Sequence, residues 1–239
     1  MCYSLTLLEP DTIQLRYAAS FPSHWEFQPT YYTNAFTYPD YPILANNDMV
    51  HFQIMNWGLI PFWVKNNEDA DKLRNQTMNA RSETIFDKPS FRHSIQKKRC
   101  LIPASGFFEW RYFQGRNYPY FIHLKNEKVF SIAGIWDNWV NPETNKEAFT
   151  FSVITCNANP LMAKIHNKKK RMPVILHKEI EKEWLREDLA KEDIQGYLFP
   201  FPEDEMKAYT ISRLVTSKTQ NRNVPKVIER YSYPELPSL

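Results

Sequence analysis

Short strand-like segments recur along most of this chain, and that recurrence restricts its fold more than any other feature. Residues 50–60 alternate apolar and polar side chains, as a half-buried strand does. Seven further segments read as strands: 100–103, 106–112, 118–124, 128–136, 149–155, 173–176 and 207–215. We therefore predict an α+β fold with a strand-rich, curved or barrel-like sheet as its core and helices at its periphery.

Candidate helices are few and short. Asn159 is a good cap for a helix that begins at Pro160 and runs to His166. Three more segments have helical patterns: 90–98 with Ser90 as its cap, 178–189 as an amphipathic surface helix, and 191–198. The segment 21–45 is rich in proline and aromatic residues, which is typical of an ordered but irregular loop.

The organisation of the chain indicates one domain. We find no repeat, low-complexity stretch or linker in the 239 residues, and this length suits a single large core. We predict one domain over 1–239, with an extended tail at about 231–239.

Composition excludes several classes of protein. Hydrophobic residues make up 43% of the chain, yet no apolar run is long enough to cross a bilayer. The first residues lack the basic region and cleavage site of a signal peptide, so we expect a cytoplasmic protein. The three cysteines have no paired or metal-like spacing, which predicts a reducing compartment, no metal and no cofactor.

Basic residues crowd around one histidine. Lys164, Lys168–Lys170 and Arg171 surround His166, although the net charge is only +3. Such runs are usually solvated faces. Beside a candidate catalytic histidine, the cluster also favours phosphate contacts, and the 15% aromatic content supplies rings that can stack on bases.

Cys2 directly follows Met1, and its small side chain predicts that an aminopeptidase removes Met1. The α-amine then exposed has a pKa near ~8, so part of it is neutral and nucleophilic at neutral pH. An amine and a thiol on adjacent carbons can trap one aldehyde twice, first as an imine and then as a five-membered ring. The alternative is a small buried hydrophobe, the role we expect for Cys100 and Cys156.

Two further segments carry polar groups suited to this chemistry. In 79–84, the Asn79 amide can orient an amine, and the Arg81 guanidinium can bind a phosphate; a turn and a surface ion pair are the alternative. On a strand, Glu109 points away from Phe108 and Trp110. If Glu109 is desolvated, its pKa rises and it becomes a proton donor near neutrality; a solvent-facing glutamate is equally compatible with the pattern.

His166 and Trp63 complete the candidates. His166 lies at the C-terminal end of the predicted helix, where the dipole favours the imidazolium and hence a proton donor; a solvated or capping histidine is the alternative. Trp63 ends the run of residues 57–63 (WGLIPFW), which can form a base-stacking wall or pack in the core.

Together these motifs resemble the SRAP family, the SOS response-associated peptidase or abasic-site processing proteins. The resemblance runs from Cys2 to about Val215 and rests on the order and separation of the motifs. They are Met1-Cys2, the W-G-x-x-P-x-W run at 57–63, N-A-R-S-E-T at 79–84, F-F-E-W at 107–110, and a histidine followed by R-M-P-V-I-L ending at Leu176.

The resemblance implies a function in the DNA damage response. Members bind single-stranded DNA and crosslink to abasic sites through the N-terminal cysteine as a thiazolidine. Carried over, Cys2 is the nucleophile, Asn79 holds it in place, Glu109 shuttles protons and His166 protonates the oxygen of the opened sugar. The implied DNA contacts are Arg81, Trp63, Arg171, Thr155 and Pro39. The partner is single-stranded DNA with abasic sites, and we expect a monomer with weak lyase activity.

The chain departs from the family pattern in three places, and in one of them the Pro-containing wedge loop of the family is only loosely recognisable, around Asn34 to Pro39. Tyr3 and Ser4 stand where many members have Gly and Arg. Residues 167–170 separate the histidine from the R-M-P run, and their lysines either restore the positive charge or only lengthen a loop. Two other hypotheses remain: a cysteine peptidase using Cys2, His166 and Glu109, or a non-covalent binder of single-stranded DNA.

Overall fold

The computed structural model describes residues 2–239, so Met1, whose removal the sequence predicts, lies outside the described residues. The strands are β1 Ser4–Leu7, β2 Thr30–Asn34, β3 Asp40–Ala45, β4 Asp48–Trp57, β5 Asn79–Arg81, β6 Arg99–Ala104, β7 Gly106–Phe113, β8 Arg116–Leu124, β9 Phe130–Val140, β10 Glu147–Asn157, β11 Arg171–Pro173, β12 Ile175–Leu176 and β13 Met206–Thr210. The α-helices are α1 Pro10–Tyr17, α2 Asn67–Arg74, α3 Ser94–Lys97, α4 Pro160–Ile165, α5 Glu181–Trp184 and α6 Lys191–Gly196.

Five strands close into a barrel. The strand order is β10-β4-β3-β6-β9, and β9 pairs with β10 to complete the circle. The barrel is tightly packed: a Cβ on Gly134 of β9 would lie 2.6 Å from Ile102 Cδ1 and 2.8 Å from Cys100 Sγ. The predicted strand-rich, barrel-like α+β fold is therefore confirmed.

A second sheet carries the start of the chain. Its order is β13-β8-β7-β1-β2, with antiparallel neighbours. On β1 and β7, Leu5 pairs with Phe107 and Thr6 pairs with Gly106. Because the two strands are antiparallel, the residues before Leu5 lie beside the residues after Phe107. This register brings the first residues of the chain alongside Glu109.

The second half of β10 holds two sequence motifs side by side. Thr155 is level with Arg81 of β5 on one side and with Pro173 of β11 on the other. The 79–84 and 171–176 motifs, far apart in sequence, therefore flank one strand.

The helix predictions had mixed outcomes. The Asn159 cap is confirmed, because its Oδ1 accepts a hydrogen bond from the Met162 N–H at 2.8 Å. The segment 191–198 contains α6. The segment 90–98 is helical only at 94–97, so the prediction of a Ser90 cap is wrong.

The prediction of a long amphipathic helix at 178–189 is also wrong. A 3₁₀ turn at Lys178–Ile180 and the short α5 replace it. The buried Arg99 guanidinium donates to the carbonyl oxygens of Trp184, at 2.9 Å, and of Arg186. These carbonyls are thus occupied by Arg99 rather than by the next turn of a helix.

The segment 21–45 is more regular than predicted. It contains β2, a 3₁₀ turn at Ala35–Thr37 and β3. Pro42 is tolerated in β3 because β6 pairs with β3 only from Leu44 onward.

At the other end of the chain, the strand predicted at 207–215 ends at Thr210. The last residues fold back: Tyr233 donates to the Ile211 carbonyl at 2.9 Å, and Tyr118 donates to Glu235 at 3.0 Å. No helix within residues 2–239 has the length and apolar character needed to span a membrane.

Candidate active site

Cys2 is fully buried beside the second sheet (β13-β8-β7-β1-β2), which, unlike the barrel, is an open sheet. Its Sγ lies 4.0 Å from the Ser4 carbonyl oxygen. Burial raises the pKa of this thiol well above its usual range, and the negative charge of Glu109 raises it further. The thiol is therefore protonated at neutral pH and within electrostatic reach of Glu109. Cys100 and Cys156 are buried as well, as predicted.

Glu109 on β7 is a buried carboxyl group with 3% of its surface exposed. Burial raises its pKa to about 7, although the Trp110 N–H and the charge of Lys169 act in the opposite direction. Its neighbour Phe108 faces the other side of the sheet, where its ring lies 5.3 Å from that of Phe121. The predicted orientation and the predicted rise in pKa are both confirmed, so Glu109 is poised to gain or lose a proton near pH 7.

His166 follows the last residue of α4, and its N–H donates to the Met162 carbonyl at 2.7 Å. Its Nδ1 lies 2.9 Å from the Arg171 carbonyl oxygen and 3.3 Å from the Arg171 backbone nitrogen. The carbonyl oxygen can only accept, so the shorter contact corresponds to the tautomer with the proton on Nδ1 and the lone pair on Nε2. The same Nδ1 lies 3.9 Å from Glu109 Oε1. The structure thus brings Glu109 and His166 together.

The protonation state expected for His166 is wrong. Burial is the largest cause of an imidazole pKa that is lowered to about 4, and the positive charges of Lys169 and Arg171 act in the same direction. The ring is neutral at pH 7, because desolvation outweighs the dipole of a helix only six residues long.

Asn79 lies at the start of β5 and is 8% exposed. Both polar atoms of its side-chain amide are buried without a hydrogen-bond partner among residues 2–239. Arg81, two residues on and thus on the same face of β5, acts electrostatically on the Tyr3 hydroxyl. The Asn79 amide therefore has unused hydrogen-bonding capacity on the face of β5 that also carries Arg81.

Arg171 and Thr155 are occupied internally. The Arg171 side chain is 8% exposed and pairs with Glu83. Its guanidinium also donates to the Thr155 carbonyl at 2.6 Å and to the Thr155 hydroxyl at 3.2 Å. Their DNA contacts stay predictions. The geometry assigns both residues a positioning role, because Thr155 binds the Arg171 guanidinium and the Arg171 backbone holds His166.

Trp63 and Pro39 are both partly exposed. Trp63 is 43% exposed and, with Phe62 and Arg92, lines a cleft of about 380 Å³. Pro39 is half-buried, and its carbonyl accepts from the Trp57 N–H at 3.2 Å. Their DNA contacts stay predictions.

The inserted residues 167–170 form a fixed loop, which the sequence did not predict. Asn167 Oδ1 accepts from the Tyr112 N–H at 3.0 Å, and its Nδ2 donates to the Tyr112 carbonyl at 2.8 Å. Lys168 Nζ lies 3.7 Å from the centre of the Tyr112 ring. The only sequence signal was an asparagine at the start of a lysine run.

Comparison with known proteins places this arrangement in a family. The abasic site processing protein YoqW of Bacillus subtilis (strain 168) is 41% identical over 179 residues, covering 74% of this chain and 75% of the relative. YoaM of the same organism, also named an abasic site processing protein, is 38% identical over 201 residues, covering 82% and 83%. A crystal structure of a protein from Bacteroides thetaiotaomicron superposes with a TM-score of 0.90 at 40% identity, covering 97% of this chain and all of that one. The family model described as SOS response associated peptidase (SRAP) matches residues 1–218, and the chain belongs to this family.

Proposed function

We propose that this chain processes abasic sites in single-stranded DNA by forming a thiazolidine between Cys2 and the opened sugar. It would act as a single-domain monomer in the cytoplasm, without a cofactor. Relatives named as abasic site processing proteins support the substrate. The observation that carries the proposal is a buried Cys2 within electrostatic reach of Glu109, whose pKa is about 7 and whose Oε1 lies 3.9 Å from His166 Nδ1.

The first step joins the Cys2 amine to the sugar aldehyde once Met1 has been removed. The amine nitrogen attacks C1, and the resulting carbinolamine loses water to give an imine. Loss of water requires a proton on the departing hydroxyl. Glu109 with a pKa of about 7 is protonated in a large fraction of molecules at neutral pH and can supply it.

The second step closes the ring. The Cys2 sulfur adds to the imine carbon, the thiol proton leaves sulfur, and the imine nitrogen gains a proton, so the net product of both steps is the thiazolidine and one water. Because the thiol is protonated, a base must accept its proton as the bond forms. The Glu109 carboxylate left by the first step is that base.

His166 and Asn79 support these steps. The neutral imidazole is a poor acid, so we assign its Nε2 the role of accepting a proton from the C1 hydroxyl as the sugar ring opens, while water protonates the departing ring oxygen. The Asn79 amide, without a partner among the described residues, is suited to hold the Cys2 amine.

DNA contacts would come from the exposed groups. Arg81 is exposed on β5, and Trp63 offers part of its ring for stacking on a base. Pro39, an implied DNA contact, is also partly exposed. The imine also permits strand cleavage by β-elimination, so we expect a slow lyase activity.

The test is a denaturing gel of the protein with an oligonucleotide that bears one abasic site. Wild type should give a stable adduct, Cys2→Ala should give none, and Cys156→Ala, which removes another buried thiol, should match wild type. Crosslinking by Cys2→Ala at the wild-type rate would refute the proposed chemistry. Equal binding of intact and abasic strands without an adduct would favour a non-covalent binder.

A cysteine peptidase is the second candidate, since Cys2, Glu109 and His166 also suit that chemistry. The raised thiol pKa argues against it, because peptidase cysteines act as thiolates. The intact mass of the protein with a short N-terminal extension decides the question. A mass that retains the extension after incubation counts against self-cleavage.

A further inference from the structure

The segment at 220–223 lies beyond the family match at 1–218 and is fixed onto β2. Asn223 Oδ1 accepts from the backbone N–H groups of Tyr31, at 2.7 Å, and Tyr32, at 3.2 Å. The side-chain carbonyl thus takes the place that a neighbouring strand would have on this edge of the sheet.

Arg222 is connected through Tyr32 to β1, the strand that begins two residues after Cys2. Its Nη1 donates to the Tyr32 hydroxyl oxygen at 3.1 Å, and its guanidinium carbon lies 4.5 Å from the centre of the Tyr32 ring. The Ser4 hydroxyl donates to the same Tyr32 oxygen at 3.3 Å. Ser4 is two residues from Cys2, a span of about 7 Å along an extended strand.

A cleft of about 320 Å³ opens between the 32–37 region and this segment. Its lining includes the amides of Asn34, Gln220 and Asn221 together with Arg222, and no aspartate or glutamate lines it. Among residues 2–239, no carboxylate forms an ion pair with Arg222. A guanidinium beside several amides and no acid matches the chemistry of a phosphodiester with adjoining base edges.

We propose that Arg222 and the surrounding amides bind a backbone phosphate of the single strand where it passes the β2 edge of the sheet, on the face opposite Glu109, where the Tyr32 ring lies 5.4 Å from that of Phe108. This subsite rests on the proposed function, because it assumes that the strand carrying the abasic site passes Cys2. The 32–37 region continues the path from that site: the Tyr3 carbonyl accepts from the Ala35 N–H at 2.8 Å, and the Tyr3 ring lies 4.9 Å from that of Phe36.

The test measures the affinity for an intact oligothymidine at several salt concentrations. Arg222→Ala should weaken binding about five- to tenfold and lower the slope of log affinity against log salt by roughly 0.7, the value for one phosphate contact on a single strand. Arg222→Lys should retain most of the slope, because a point charge still attracts the phosphate. Arg222→Gln removes the charge while keeping a donor for Tyr32, and it replaces the alanine variant if that one unfolds.

Arg230→Ala is the matched control. Arg230 lies over the Tyr209 ring at 4.2 Å, and Tyr209 is on β13, the opposite edge of the same sheet from β2. This variant loses the same charge and the same type of ring contact, and it should bind as wild type does. Equal affinity and slope for the Arg222 and Arg230 variants would overturn the subsite, as would a wild type that binds no DNA.

Crosslinking to an abasic strand separates the two proposals. A wild type that crosslinks while its affinity is insensitive to Arg222 refutes only the subsite. A wild type that binds through Arg222 but forms no adduct refutes only the thiazolidine chemistry.

Discussion

Two buried carboxyl groups, one on the barrel and one on the open sheet, have opposite surroundings. Asp137 on β9 is 1% exposed, and it accepts from the N–H groups of Phe62, at 3.0 Å, and Asn138, at 2.9 Å, and pairs with Lys98 at 2.6 Å. Glu109 is nearly as buried, and its pKa rises to about 7. The barrel carboxylate ties segments together, whereas the carboxyl group of the open sheet keeps a transferable proton.

The largest expected effect is on the rate of crosslinking. Glu109→Gln should slow it about 10³-fold, or ~4 kcal/mol of barrier, because the amide can neither supply nor accept the proton. Quenched time courses on denaturing gels measure the rate. Asp137→Asn is the control and should react within about twofold of wild type per folded molecule. A similar loss in both variants would mean that the two carboxyl groups do not differ in role.

The second effect is on the free energy of unfolding, which should depend more on Asp137 than on Glu109. Asp137→Ala should lower the free energy of unfolding by about 3 kcal/mol, because Lys98 and two backbone N–H groups lose their acceptor. Glu109→Gln should change it by less than about 1 kcal/mol. Urea unfolding followed by tryptophan fluorescence measures both. A stable Asp137→Ala protein would show that water replaces the lost acceptor.

The third effect is on the pH dependence of stability. A raised carboxyl pKa stabilises the fold at acidic pH, so the contribution of Glu109 is complete below pH 4.5 and is lost as the pH rises to about 7. The lowered imidazole pKa acts in the opposite sense: the contribution of His166 is complete above pH 6.5 and is lost as the pH falls to about 4. The two slopes oppose each other in wild type.

A variant that lacks one of the two groups should show the pH dependence of stability that the other group causes. Between about pH 5 and 7, Glu109→Gln should become more stable as pH rises, by on the order of 2 kcal/mol, and His166→Gln should become less stable by a similar amount. Urea unfolding across this range measures both against wild type. If both variants keep the wild-type slope, neither group titrates as described.

The smallest effect concerns Asn79. Asn79→Ala should slow crosslinking about tenfold, or ~1.4 kcal/mol, by removing the group proposed to hold the amine. The same change should leave stability unchanged or raise it by up to about 1 kcal/mol, because it removes buried amide atoms without partners. Single-turnover rates and urea unfolding give the two values. Loss of both rate and stability would assign Asn79 a structural role.

Local patterns predicted the parts of the fold that local forces control. Alternation and apolar runs placed β6 to β10, and the Asn159–Pro160 pair placed the start of α4. The strands β2 and β3 were missed because Pro29, Pro39 and Pro42, which lie just before or within them, indicate a loop unless the pairing of neighbouring strands is known. The helix predicted at 178–189 failed because Arg99, some eighty residues earlier in the chain, takes its carbonyl groups.

The properties of the site also divide into those that depend on local sequence and those that depend on residues distant in the chain. The alternation on β7 left a buried Glu109 and a solvent-facing Glu109 equally open, and its burial in the folded chain decides the direction of its pKa shift. The charge state of His166 did not follow from its local sequence, because it depends on burial by elements distant in sequence. Arg222 gave no signal, since its approach to Ser4 requires the chain after 218 to return to β2.

The hydrogen bond from the His166 ring to the Arg171 carbonyl joins the two ends of the inserted loop. A second bond, from the Lys170 N–H to the His166 carbonyl at 2.7 Å, closes the same base. These two bonds hold the ends of the loop together, so a change in the number of loop residues does not alter the position of its ends. Lysines gained or lost in the loop would therefore change the attraction to a polyanion without displacing the imidazole.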